Sequence, residues 1–242
     1  MAKRRYIQDF AATHKAPYLG MPPGLIQCRD VEDLPRDVEA LWLTRKSSGV
    51  ENLATFKQLR RIHAPLREDW LPVLASIPNL EYAKFTLPKS AEIPSLKCLS
   101  NLRSLVLSCN RHQTNLEFVR DMKWLHSLCV SEAMSVSLFA PLSTLSELRE
   151  LYIDGTITGR QTIDSLSPLA DLTHLQFAVL LIRIAKANRT LAPLHKLKQL
   201  KFLHLSDDYL PEEYDLLIKT LPRLTEICFN AGKRWPMTEA TT

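Results

Sequence analysis

A block whose simplest form is Leu-x-x-Leu-x-Leu recurs nine times between Val38 and Phe229 and dominates the chain. Read as first, fourth and sixth positions, the early copies are Val38/Leu41/Leu43, Leu59/Ile62/Ala64, Leu80/Ala83/Phe85, Leu102/Leu105/Leu107 and Leu125/Leu128/Val130. The later copies are Leu148/Leu151/Ile153, Leu175/Ala178/Leu180, Leu200/Leu203/Leu205 and Leu224/Ile227/Phe229. Successive blocks start 21 to 27 residues apart, a period in which one strand and its return segment complete a turn of a solenoid.

The fourth and sixth positions are two residues apart and therefore share one face of a strand. Their side chains are expected to point inward, and those of the third, fifth and seventh positions outward. The second half of each unit has a helical or 3₁₀ signal. Pro141, Pro168 and Pro193 stand seven residues before the next block, and Pro72 and Pro94 eight. Proline is tolerated at a first helical position because the missing N–H has no partner there. The pattern Pro-Leu-x-x-Leu, as in Pro141 to Leu145, then supplies an apolar inner face to the outer layer. A solenoid of helical pairs is the rival reading. It needs about 33–47 residues per unit, and the two-residue spacing of Leu105 and Leu107 is a strand signal.

In these units the chain resembles the leucine-rich repeat proteins, closest to the short cytoplasmic type, over about four fifths of its length. The resemblance implies an α/β solenoid: an arc with a parallel β-sheet on the concave face and short helices or 3₁₀ turns on the convex face. The asparagine usual at the ninth position occurs only as Asn110, which implies irregular convex loops. The resemblance also implies a protein-binding role, as a neutralising partner of the immunity type, an adaptor or a regulatory subunit.

Unbroken repeats favour one elongated body in which each unit contacts its neighbours. We divide it into an N-terminal segment and cap (1–37), a solenoid of about nine repeats (38–231) and a C-terminal cap and tail (232–242). Leu25, Ile26 and Cys28 are expected to add a short edge strand. Leu210 to Leu221 reads as a longer helix with Leu216, Leu217 and Leu221 facing in. Trp235 and Pro236 are expected to cover the last edge, and Asp154 to Arg160 to form a protruding turn. The basic cluster Lys3, Arg4 and Arg5 reads as a solvated tail.

No apolar run approaches the roughly 18 residues that span a bilayer, so no membrane partner is expected. Met1 to Arg5 is basic but leads into Tyr6, Gln8 and Asp9 rather than an apolar stretch, so it does not read as a secretion signal. A cytoplasmic location is the expectation. Five cysteines scattered over different units read as reduced thiols.

Outward strand positions are where a partner is expected, because core packing does not dictate them. The candidate binding set is Arg61, His63, Tyr82, Lys84, Tyr152, Asp154, Phe177, Val179, Phe202, His204 and Asp207. Arg45, Arg60 and Arg103 extend the basic early end; Glu150, Asp208 and Glu226 extend the acidic late end. Between them, Tyr152, Phe177, Val179, Leu181 and Phe202 read as an exposed apolar patch of the kind that anchors partners. On that reading, alanine at Tyr152 or Phe202 weakens binding and leaves folding almost unchanged.

Enzymatic function is not expected. The sequence holds no Gly-x-Ser-x-Gly, phosphate loop, His-Glu-x-x-His or Cys-x-x-Cys, and no convergent constellation replaces them. No cofactor, metal or small-molecule substrate is expected. Cys129 beside Tyr152 lacks an adjacent base and reads as an idle thiol. The alternative to protein binding is nucleic-acid binding by the basic early repeats, with Trp42 and Tyr82 available for stacking. The acidic late units argue against it.

Overall fold

The computed structural model describes residues 24–87, 93–109, 112–155, 162–206, 209–229 and 233–234. Its strands in chain order are β1 (Ile26–Asp30), β2 (Ala40–Ser48), β3 (Arg61–Pro65), β4 (Tyr82–Thr86), β5 (Ser104–Ser108), β6 (Ser127–Ser131) and β7 (Glu150–Asp154). They continue with β8 (Thr162–Ile163), β9 (Phe177–Leu181), β10 (Arg183–Ile184), β11 (Phe202–Leu205), β12 (Glu226–Phe229) and β13 (Lys233–Arg234). The main sheet runs β1-β2-β3-β4-β5-β6-β7-β9-β11-β12-β13. All its pairings are parallel except the last, where β13 runs against β12.

The repeat register holds residue by residue. Fourth positions lie side by side from Leu41 through Ile62, Ala83, Leu105, Leu128, Leu151, Ala178 and Leu203 to Ile227. From Val38 to Ile227, none of the block residues is more than 6% exposed, so the predicted inward face is the core. Each block is entered by a tight turn, as where Leu102 donates its N–H to the Leu99 carbonyl and Leu148 to that of Leu145. At the second position, one carbonyl takes two N–H groups from the next unit. Glu81 accepts from Arg103 and Ser104, and Arg149 from Gln176 and Phe177. This backbone device locks each unit to the next whatever side chains it carries.

The outer layer is short. Pro141, Pro168 and Pro193 open the 3₁₀ turns Ala140–Thr144, Ser167–Asp171 and Ala192–Lys196. Pro72 lies in helix α1 (Leu71–Ser76). Pro94 departs from the pattern: the chain after it forms only turns. The expected edge strand is β1, whose Cys28 is buried and whose Ile26 is 43% exposed, as suits an outermost strand. Gly49, which closes β2 at φ 67°, holds a left-handed conformation, and a Cβ there would meet Asp30 Oδ1 at 3.0 Å.

Helix α2 (Pro211–Thr220) matches the predicted longer helix, with a correction to its inner face. Leu217 and Leu221 are buried, but Leu216 is exposed and Tyr214 takes the inward place. At 3.6 residues per turn, positions 214, 217 and 221 share a stripe and 216 lies about 100° away from 217. Glu213 in the first turn accepts hydrogen bonds from the Leu191 N–H and the Thr190 hydroxyl, tying α2 to the preceding outer turn.

The two longest units contain an element that periodicity does not reveal. Their extra residues form a separate parallel pair, β8 with β10, which buries Ile163 and Ile184. Asn110, Thr156 to Arg160, Asp207, Asp208, Trp235 and Pro236, to which the sequence assigned roles, lie outside the described residues.

Candidate protein-binding face

The concave face is built from the third and fifth positions of each strand. Fifth positions form one ladder: Trp42, His63, Lys84, Val106, Cys129, Tyr152, Val179, His204 and Cys228 are register partners in turn. Third positions form the other, from Ala40 and Arg61 through Tyr82, Ser104, Ser127, Glu150, Phe177 and Phe202 to Glu226. The register therefore brings Tyr152, Phe177, Val179 and Phe202 together, as expected. It also keeps Arg61, His63, Tyr82 and Lys84 together on β3 and β4.

The expected exposure is not found. Tyr152 is 2% exposed and Phe202 3%, and Val179 is fully buried. With Tyr82, Val106, Cys129 and Cys228 they form a second apolar cluster, distinct from the solenoid core, against which Phe177 and Leu181 are half-buried. This cluster is a packed ridge along the concave side. Strand patterning identifies which residues lie on that side, but it carries no information about how closely they pack. Glu150, Asp154, His63 and His204 are buried as well, and each has an interaction partner.

The two charged ends also need revision. Arg61 and Lys84 are half-buried on the concave side and Arg45 is exposed. Arg60 instead points sideways to Glu81 at 3.6 Å, and Arg103 reaches the Ser100 and Trp124 carbonyls at 3.4 Å. Both serve the joints between units. The open part of the ladder is at its start, where Trp42 is 39% exposed and stacks on His63 with ring centroids 5.3 Å apart and planes at 7°. At the other end Lys201 Nζ stands 6.0 Å over the Phe177 ring and donates to Gln176 Oε1.

Burial pushes the Cys129 thiol up to about 12, so it stays protonated and poorly nucleophilic at neutral pH. Burial raises Cys109 to about 12 as well. No disulfide joins the five cysteines. Among the described residues, no group of three or more His, Cys, Asp or Glu side chains is arranged to hold a metal. Nor is any helix among them long and apolar enough to cross a membrane.

No family model matches the sequence, and no curated protein does. Likeness is found among solved structures. An internalin C2 from Listeria monocytogenes is 16% identical with a TM-score of 0.50, over 80% of this chain and 77% of its own. An internalin (inlF) from Listeria monocytogenes is 18% identical with a TM-score of 0.48, over 79% of this chain. Only 66% of that protein is covered, so this chain spans just under two thirds of its length. A leucine-rich repeat protein of Leptospira interrogans is 14% identical with a TM-score of 0.36, over 91% of this chain and 70% of its own. At such identities the likeness to the internalin C2 concerns the fold alone, and it agrees with the in-register repeats: the chain has a leucine-rich repeat fold.

Proposed function

We propose that the protein is a non-enzymatic binding module that holds a partner protein on its concave face, as a neutralising or regulatory subunit. The observation that supports this reading is the second apolar cluster. Seven buried residues from Tyr82 to Cys228 line the side of the sheet away from the core, where solenoid packing requires none of them. Cations stand at the early end, at Arg61 and Lys84, and carboxylates at the late end, at Glu150, Asp154 and Glu226. A face that is apolar along its middle and oppositely charged at its ends suits an extended protein segment read in one direction.

Alanine at Tyr152 or Phe202 no longer separates binding from folding, since both are buried. Phe177, half-buried, and Trp42, exposed, are the better probes. Isolation of the tagged protein from its native host should yield a stoichiometric protein partner. Phe177→Ala and Trp42→Ala should each weaken that complex about tenfold or more with little change in thermal midpoint. Equal affinity for wild type and both variants overturns the concave assignment.

The Trp42–His63 stack beside Arg45 and Arg61 supports a second reading, nucleic-acid binding by the early repeats. Mobility shifts that weaken steeply between low and moderate salt would favour it. Absence of any shift removes it.

A further inference from the structure

The turns that lead into the late strands carry an unbalanced charge. From β5 to β11, each strand of the main sheet is entered directly from Arg103, His126, Arg149, Gln176 or Lys201. Each of these after the first donates its backbone N–H to the carbonyl of the one before, so the five stand in a row, one strand spacing apart. The strands are parallel, and the row therefore lies along a single rim of the sheet. Counted from two residues before the block leucine to one after it, these turns hold Arg103, Lys123, Arg149, Lys198 and Lys201 against one carboxylate, Glu147. In the three earlier turns basic and acidic residues are equal in number.

No ion pair among the described residues involves these cations; the pairs lie elsewhere, at Arg60–Glu81, Arg67–Asp69 and Arg120–Glu117. Arg103 and Lys198 donate to backbone carbonyls and Lys201 to the Gln176 amide, all neutral acceptors. Lys123 and Arg149 are exposed. His126 registers the crowding: burial, then Arg149 and Arg103, hold its imidazole below the usual histidine range against an opposing pull from Glu147. Like charges on adjacent strands destabilise a sheet, so the row is unfavourable until an anion completes it.

We propose that this rim is a docking surface for an extended acidic segment of a partner protein, separate from the concave face and independent of the reading given for it. Spacing fits such a segment. Arg103, Arg149 and Lys201 enter alternate strands and so follow one another at about 9.6 Å. A polyproline II segment has three residues per turn and advances about 9.3 Å with them. Carboxylates at every third residue would meet the three cations along one side, with Lys123 and His126 between the first two. A nucleic-acid strand fits less well. Its phosphates carry charge without gaps and would meet Glu147 and the neutral Gln176. Stacking also lacks a platform, since Trp124 is half-buried and holds its indole N–H on the Leu99 carbonyl.

Fluorescence anisotropy of a labelled peptide of repeated Glu-Pro-Pro units, added to the full chain at low ionic strength, tests the proposal. Saturable binding is expected, weakening as salt is added. Arg149→Glu combined with Lys201→Glu should lower the affinity about tenfold or more. Lys123→Glu combined with Arg149→Glu should do the same at two exposed positions, which guards against a folding defect. Trp42→Ala, on the concave face, should leave peptide affinity unchanged, so the outcome does not depend on what that face binds. In the complex the His126 imidazole, followed by NMR, should titrate at a higher pH than in the free protein, because a neighbouring carboxylate favours its charged form. Absence of binding at low salt overturns the proposal, as does binding indifferent to both pairs of charge reversals. A single-stranded oligonucleotide that binds the rim more tightly than the peptide overturns it as well.

Discussion

Replacing Leu105 with alanine is expected to lower unfolding stability by about 2–5 kcal/mol, the range for deleting a fully buried leucine side chain. Leu105 is completely buried between register partners Ala83 and Leu128. The strands on both sides are held at fixed spacing by the parallel ladder and by the doubly used second-position carbonyls, so the space cannot close by collapse. Because a solenoid is stabilised by interfaces between adjacent units, the damage should concentrate at β4, β5 and β6. Urea titration followed by circular dichroism measures the loss, and hydrogen exchange locates it. A midpoint equal to that of wild type would contradict the inward assignment of the block.

A loss of about 3–5 kcal/mol is expected for Tyr152→Ala, by analogy with other buried aromatic truncations. Strand alternation alone, which places Tyr152 outward, predicts almost no change. At 2% exposure the ring instead fills the centre of the second cluster, between Cys129 and Val179. Tyr152→Phe keeps the ring and should recover most of the difference. Thermal melts of the three proteins decide the matter. If Tyr152→Ala melts with wild type, the ridge faces solvent, and the packed cluster is wrong.

The two variants show where sequence reasoning was strong and where it stopped. Leu105 is legible because burial of the fourth and sixth positions follows from a period of two within the strand and is repeated in nine units. Each copy reinforces the others. Leu216 is not legible in the same way, because several leucines in a helix satisfy more than one choice of inner face, and Tyr214 fills the stripe instead. The small β8–β10 pair was illegible because two-residue strands carry no periodic signal. The sequence places Arg60 and Arg103 on a basic surface, but packing turns them to the joints between units. Side-chain direction within a loop is set by which carbonyl or carboxylate lies in reach.

Local chemistry alone determined the solenoid, the order and parallel pairing of its strands, the identity of its core, and which side chains stand on the concave side. Those features depend on spacing along the chain, and spacing is written in the sequence. Only the tertiary structure decided that the apolar side chains on this concave side are buried. Tyr152, Val179 and Phe202 are buried where side chains from successive strands meet in one cluster, and how closely side chains of different units pack leaves no periodic trace in the sequence.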